Sequence, residues 1–333
     1  MNQKLCTLIT VTASLLLGTV AVSAQALKPA PAAKTSTWVV GHTPDGQADL
    51  EGTWTNATLI PLERPKALGA KEFYTAQEKA EMDAKPLKPV GSTVEAHYDL
   101  SQFGLDRSQG KFAPSLRTSL MVGPEGRMPP LVPAGQKRIA ELNAKINGHE
   151  FDGPEFRNLG ERCLVNNAAG PPMLNSGYNN DMEIVQGPGY VAIMQEMIHD
   201  TRIIPLDGSP HLPAEIHKWR GDPRGHWEGN TLVVDSTNFN DQLALQATVT
   251  NRIPTSERLH VVERFTRTGP ETIKYEFTVD DPLTWVKPWT GEIVMGPAPG
   301  RIFEYACHEA NQSMTNLLSS ARNLEKEVAE GKK

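Results

Sequence analysis

The chain changes texture near residue 181. Beyond that point short apolar runs alternate with turn signals: 182–186, 190–198 and 201–206 are separated by Gly187-Pro188-Gly189 and His199-Asp200. Further runs follow at 225–229, 231–238, 259–268, 272–279, 289–295 and 301–307, several joined by tight links such as Glu228-Gly229-Asn230 and Gly269-Pro270-Glu271. Short strands at this spacing predict an antiparallel meander, and about eight of them close into an up-and-down barrel with no exposed edge. The fold class expected is therefore mainly β, with an irregular N-terminal half and a C-terminal helix over 311–330, where Leu317, Leu318, Ala321 and Leu324 share one side.

The first half is poor in periodicity. Pro61, Pro65, Pro86, Pro89, Pro114, Pro124, Pro129 and Pro130 interrupt almost every window of 56–130. A helix is expected over 75–83, opened by Thr75 as cap with Glu78 three residues later. A second spans 133–147, where Ile139, Leu142 and Ile146 stand at helical spacing. The stretch 116–122 reads as a strand, and 152–180 as loop, with Gly170-Pro171-Pro172 and a polar cluster at 175–180.

The N-terminus carries Lys4, an apolar stretch over 8–22 and the small residues Val22-Ser23-Ala24 before Gln25, the signature of a secretory signal peptide. A membrane anchor needs about 20 predominantly apolar residues; this stretch is shorter and diluted by Ala, Ser and Thr. Cys6 lies too early for lipidation at the cleavage point. The expected organisation is a signal peptide (1–24), a flexible leader (25–40) and one β-barrel-like domain (41–330), made of a wrapping segment (41–180), a meander (181–310) and the helix. The mature protein is expected to be periplasmic or secreted, with no membrane span.

Export leaves Cys163 and Cys307, and an even pair in an oxidising compartment reads first as a disulfide. A thiol nucleophile or a metal ligand is the alternative. The formal net charge of −6 argues against a nucleic-acid partner. Hydrophobic residues at 39% and charged ones at 22% describe a globular chain, and 27 Gly with 26 Pro favour turns and short elements.

Strand alternation sorts the polar candidates by face. In 259–265 the apolar face carries Leu259, Val261 and Phe265, and Glu263 stands among them. A carboxylate there is costly unless paired, so Glu263 is either a structural partner of an Arg across the sheet or a pocket carboxyl suited to acid–base work. His199-Asp200-Thr201-Arg202 is a polar block inside an apolar hairpin, either a solvated turn or a proton-transfer site with Arg202 holding an oxygen. His308 and Glu309 follow Cys307 at the end of the last expected strand, where ligand sites of barrels often lie. Binding candidates are Asn179 and Asn180 beside Tyr178, His211 between Pro210 and Pro213, and Trp285 with Trp289, which form either a ligand wall or packing at a barrel end. His199, His211 and His308 lack any metal-ligand spacing, which leaves a divalent metal open but unsupported. No Gly-x-Ser-x-Gly, phosphate loop, His-Glu-x-x-His or Cys-x-x-Cys occurs.

Arg202-Ile203-Ile204-Pro205-Leu206-Asp207-Gly208, the stretch from Trp219 to Asp235 around Trp227-Glu228-Gly229, and Glu304-Tyr305-Ala306-Cys307-His308-Glu309 resemble an uncharacterised family of secreted bacterial proteins. Pro44-Asp45-Gly46 and Leu50-Glu51-Gly52-Thr53-Trp54 resemble that family's opening, and the likeness spans about residues 40–320. It implies export and a shared β fold, and carries no activity. Gly52-Thr53-Trp54 ahead of a meander is also similar to the opening of lipocalin-like barrels, whose Trp plugs the closed end. The expected function is acid–base catalysis, by a hydrolase or lyase, on a small organic molecule without a nucleotide cofactor. In it, His199 acts as acid or base, Glu263 or Asp200 orients it, and Arg202 with Asn179 or Asn180 stabilises oxygen. A non-catalytic, lipocalin-like binder of a small ligand is the alternative.

Overall fold

The computed structural model describes residues 38–84, 115–123, 125–166, 169–176, 179–246, 252–309 and 311–332. The expected signal peptide, the expected leader up to residue 37, Pro86, Pro89, Pro114, Pro124 and Tyr178 lie outside the described residues. The elements are β1 (Gly52–Thr55), α1 (Ala76–Ala84), α2 (Pro133–Ile146), β2 (Asp181–Gly187), β3 (Tyr190–Gln195), β4 (Thr201–Pro205), β5 (Asp222–Glu228), β6 (Thr231–Thr237), β7 (Ala244–Gln246), β8 (Arg252–Pro254), β9 (His260–Gly269), β10 (Thr272–Asp280), β11 (Trp289–Pro297) and α3 (Gln312–Ala329).

Nine strands make one antiparallel sheet in the order β4-β3-β2-β1-β11-β10-β9-β6-β5, while β7 and β8 form a separate ribbon. β1, from the opening Gly-x-Trp, lies between β2 and β11 and joins the two ends of the later meander, with Trp54 opposite both Met182 and Pro297. The edge strands β4 and β5 meet at Gly225, where an added Cβ would stand 2.7 Å from Ile204 Cγ2 and 2.6 Å from Leu206 Cδ2. No hydrogen-bonded ladder joins them among the described residues, so the barrel is nearly closed.

Alternation places the core. β10 reads half-buried and buried in strict turn, and β9 does so over most of its length. Their inward residues Val261, Phe265, Ile273, Tyr275 and Phe277 join Trp54, Met182, Ile193 and Ile293 in one apolar cluster. Each such side chain contributes about 1.5–3 kcal/mol on burial. An aromatic chain runs through it, Phe265–Tyr275 at 4.9 Å, Tyr275–Phe277 at 5.4 Å, Phe277–Trp289 at 5.9 Å and Trp289–Trp285 at 5.8 Å between centroids. Trp54 is buried, its indole N–H donating to the Leu50 carbonyl at 2.9 Å and its ring covered by Arg267.

The expected helices are present. Thr75 and Glu78 form a reciprocal capping box at the start of α1: the Glu78 N–H donates to Thr75 Oγ1 at 3.2 Å, and the Thr75 N–H to Glu78 Oε2 at 2.8 Å. Two expected strands are absent. Residues 116–122 make only isolated bridges, Arg117 to Phe73 and Met121 to Gly291. Their N–H groups are shared among separate strands and loops, Thr118 to Glu72, Leu120 to Pro61, Met121 to Leu62 and Val122 to Thr290. This makes an extended strap rather than a ladder member. Residues 301–307 are also not a strand, because β1 already occupies the free side of β11 and Cys307 is drawn to Cys163 instead. The Cys163–Cys307 disulfide links positions 144 apart, with Cα atoms 5.7 Å from each other. It is compatible with an oxidising compartment, and no described helix is long and apolar enough to cross a membrane.

The irregular half docks through buried cations. Arg64 is 1% exposed and donates to Thr118 Oγ1 at 3.0 Å and to the Gly123 carbonyl at 3.0 Å. α2 approaches the turn before β11 so closely that a Cβ on Gly135 would lie 2.7 Å from the Thr284 carbonyl oxygen.

Candidate active site

Glu263 projects into the barrel from β9, as its place on the apolar face requires, and is fully buried. Arg202 reaches it from β4 with two parallel bonds, Nη1 to Oε2 at 2.7 Å and Nη2 to Oε1 at 3.0 Å. The Tyr275 hydroxyl donates to Glu263 Oε1 at 2.8 Å and accepts from the Met173 N–H at 2.8 Å. Burial opposes the charge on Arg202, but the Glu263 carboxylate more than offsets it and raises the guanidinium pKa. Burial, then the Glu263 charge, pushes the Tyr275 phenol well up, so it stays a donor. The arrangement is an internal ion pair, the structural alternative weighed for Glu263, with Arg202 Nε buried and without a partner among the described residues.

Loop 169–176 inserts Met173 and Leu174 into the core beside this pair. Asn56 Nδ2 donates to the Met173 carbonyl at 3.0 Å, and Arg220 Nη1 to the Gly170 carbonyl at 2.7 Å. Arg220 also binds Asp200 through its Nε. Burial lowers the Arg220 pKa, Asp200 works against that, and the neighbouring Arg202 charge adds to the fall.

His199 does not join Glu263. It is exposed, in the turn after β3, and its ring Nδ1 lies 2.7 Å from the Tyr305 carbonyl oxygen. A carbonyl only accepts, so Nδ1 carries the hydrogen and Nε2 is the acceptor of the neutral ring. The turn is strained: Ile198 and His199 both hold positive φ, 64° and 42°. For a β-branched residue this is a genuine outlier, of the kind that clusters at functional sites. Met197 and Ile198 pack against Tyr305 and hold the turn down.

A carboxyl pair stands at the root of this turn. The Glu196 N–H donates to the Asp181 carbonyl at 2.9 Å, and the His199 N–H to the Glu196 carbonyl at 2.9 Å. Burial raises the Glu196 pKa, and the Asp181 charge raises it further, against hydrogen bonds from the Asn179 side chain and the Phe303 N–H. Burial raises Asp181 also, opposed by the Thr55 hydroxyl. Two carboxyls with raised pKa values at the root of the turn that carries His199 are groups of the kind acid–base chemistry uses. Asn179 belongs with them, itself at φ 53°.

The other candidates are dispersed. Asn180 is a buried loop clasp, exchanging bonds with the Ser176 backbone at 2.7 and 3.1 Å. His211 lies outside the barrel, its Nε2 3.1 Å from Asp235 Oδ1 and its Nδ1 3.4 Å from Asp222 Oδ2. Trp285 and Trp289 are 2% and 5% exposed and cross edge to face, so they pack and form no open wall. His308 and Glu309 are exposed beside the disulfide. The N-cap of α3 is Asn311, two residues beyond Glu309. No cluster of three or more metal-ligating side chains occurs among the described residues. No family model, curated protein or solved structure matches the chain.

Asp181, Glu196 and Arg220 escape a reading of the sequence. Glu196 falls on the outward face of an extended strand, and only the end of β3 at Gln195 turns it back over Asp181. Its one sequence signal is an acid within an apolar run.

Proposed function

We propose that this is an exported enzyme, resembling the secreted bacterial family named above, that performs acid–base chemistry of the hydrolase or lyase kind on a small organic molecule. The site is the rim formed by Asp181, Glu196 and His199. The observation that carries the reading is the left-handed pair Ile198–His199, which holds the imidazole on the Tyr305 carbonyl and leaves Nε2 to take or give a proton. Glu196 and Asp181, with raised pKa values, supply a carboxylic acid at the same turn. Asn179 offers an amide donor for a developing oxyanion. Arg202 and Glu263, sealed in the barrel, act as its internal brace.

The test is a panel of small esters, lactones and β-hydroxy acids assayed with the wild type, His199→Gln and Glu196→Gln. Turnover of a panel member should fall by about 10²–10⁴-fold in each variant while the fold persists. Turnover unchanged by either substitution, or none by the wild type, overturns the reading. Binding without turnover would leave the chain a lipocalin-like binder.

A further inference from the structure

Two adjoining voids lie where β9 begins and β10 ends. The outer is a cleft of about 330 Å³ between α2 and the β7–β8 ribbon. The inner is a crevice of about 40 Å³ reaching Arg220, walled by Trp219, Leu245, Leu259 and Val279. Val165, Asn166, Leu243 and Ala244 line both, so the two share a wall. The outer volume falls in the range of small-molecule sites, roughly 300–1,000 Å³.

Arg220 is built into the inner wall. Its side chain is 10% exposed, its Nε is held by Asp200 and its Nη1 by the Gly170 carbonyl. Its Nη2 is buried with no partner among the described residues. A buried donor without an acceptor is costly, and more so on a charged group. The acceptor that suits a guanidinium in an apolar crevice is a carboxylate, which forms shorter and stronger bonds than a neutral oxygen. The outer cleft supplies apolar surface from Leu142, Ile146, Leu159 and Pro254. Its rim carries both signs, Lys145 and Arg162 against Glu155 and Asp241, and so does not choose the charge of a ligand; that choice falls to Arg220.

We propose that these voids form a binding site for a small monocarboxylic acid with an apolar body, its carboxylate accepting from Arg220 Nη2 and its body lying along Leu243 into the outer cleft. The site shares no residue with the Asp181–Glu196–His199 rim and does not rest on catalysis there.

Isothermal titration of the disulfide-intact protein with octanoate tests it, with 1-octanol as the uncharged match. Octanoate is expected to bind one to one, and 1-octanol at least tenfold more weakly. Arg220→Gln should lower octanoate affinity at least tenfold. Should Arg220→Gln not fold, Leu142→Trp decides, since it fills the outer cleft from α2 without touching Arg220, and octanoate binding should be lost. No octanoate binding by the wild type, equal binding of 1-octanol, or full affinity in folded Arg220→Gln or in Leu142→Trp overturns the proposal.

Discussion

Arg202 and Glu263 meet across the barrel interior from strands β4 and β9, which lie at an edge and well inside the sheet order, and the pair spans the fold rather than a ladder. Both side chains are almost wholly buried, at 3% and 0% exposure. Such a pair adds little net stability over apolar residues of the same size, whereas removal of one member leaves a charge with nothing to balance it. Glu263→Leu or Arg202→Met should each cost about 3–5 kcal/mol. The double variant Arg202→Met with Glu263→Leu should cost less than either single one. Urea unfolding of the three variants measures this, and additive losses would show that the two residues do not act as a pair.

Tyr275 ties that pair to loop 169–176, because its hydroxyl both donates to Glu263 and accepts from the Met173 N–H. Tyr275→Phe keeps the ring stack but orphans the Met173 donor. A loss of about 1–3 kcal/mol is expected, with faster amide exchange at Met173 than at the neighbouring strands. Protection at Met173 equal to wild type would refute the link.

Legibility followed the range of the interactions. The Thr75–Glu78 capping box is local, and it formed where its spacing placed it. Glu263 was legible as a paired interior acid because strand alternation alone puts it among Val261 and Phe265. The rim was not legible. Asp181 and Glu196 meet only through the β2–β3 register, and nothing about Ile198, a β-branched residue, asks for positive φ. Arg220 sits in Trp219-Arg220-Gly221-Asp222, where no local pattern marks it, and only the fold brings Asp200 and Gly170 to it. The strands expected at 116–122 and 301–307 had suitable residues, but 116–122 makes only isolated bridges and β1 holds the side of β11 that 301–307 would need.

Gly291 is a packing requirement of the same core. It faces Phe277 in the β10–β11 register, and a Cβ there would lie 2.2 Å from Phe277 Cζ. Phe277 is itself locked between Tyr275 and Trp289, so it has no room to withdraw. Gly291→Ala should destabilise by about 1–3 kcal/mol through overpacking. Adding Phe277→Leu should recover part of that loss. Thermal unfolding of the single and double variants checks it, and a Gly291→Ala protein as stable as the wild type would contradict the close approach.

The disulfide closes a loop of 144 positions. In the chain-entropy account a loop of this length contributes about 5 kcal/mol by restricting the unfolded chain. The paired variant Cys163→Ser with Cys307→Ser should lose most of this in guanidinium unfolding, and the reducing agent that weakens the wild type should leave the variant unchanged. Equal midpoints for oxidised wild type and variant would show that the bond restrains nothing.

Outside the barrel, Asp235 accepts from His260 Nε2 at 2.9 Å and from His211 Nε2 at 3.1 Å, so one carboxylate gathers loop 206–218 and strand β9. The hydrogen bond to Asp235 raises the His260 pKa above 6.5, against the effect of burial, with the Asp235 and Asp280 charges adding to the rise. The bond to His260 lowers Asp235 below 3.8, again against burial, with the His260 and His211 charges helping. A raised histidine binds its proton more tightly when folded, so its contribution is complete below pH 6.5 and is lost as pH climbs through the raised value. The depressed Asp235 contributes above pH 3.8, and this is lost as pH falls through its lowered value. Stability should therefore decline from its plateau on both sides, and His260→Gln should flatten the alkaline arm while leaving most of the acid arm from other carboxylates. Unfolding midpoints taken from pH 3 to 9 for wild type and His260→Gln test this. An alkaline arm of the same slope in both proteins would mean that the His260–Asp235 bond does not couple protonation to folding.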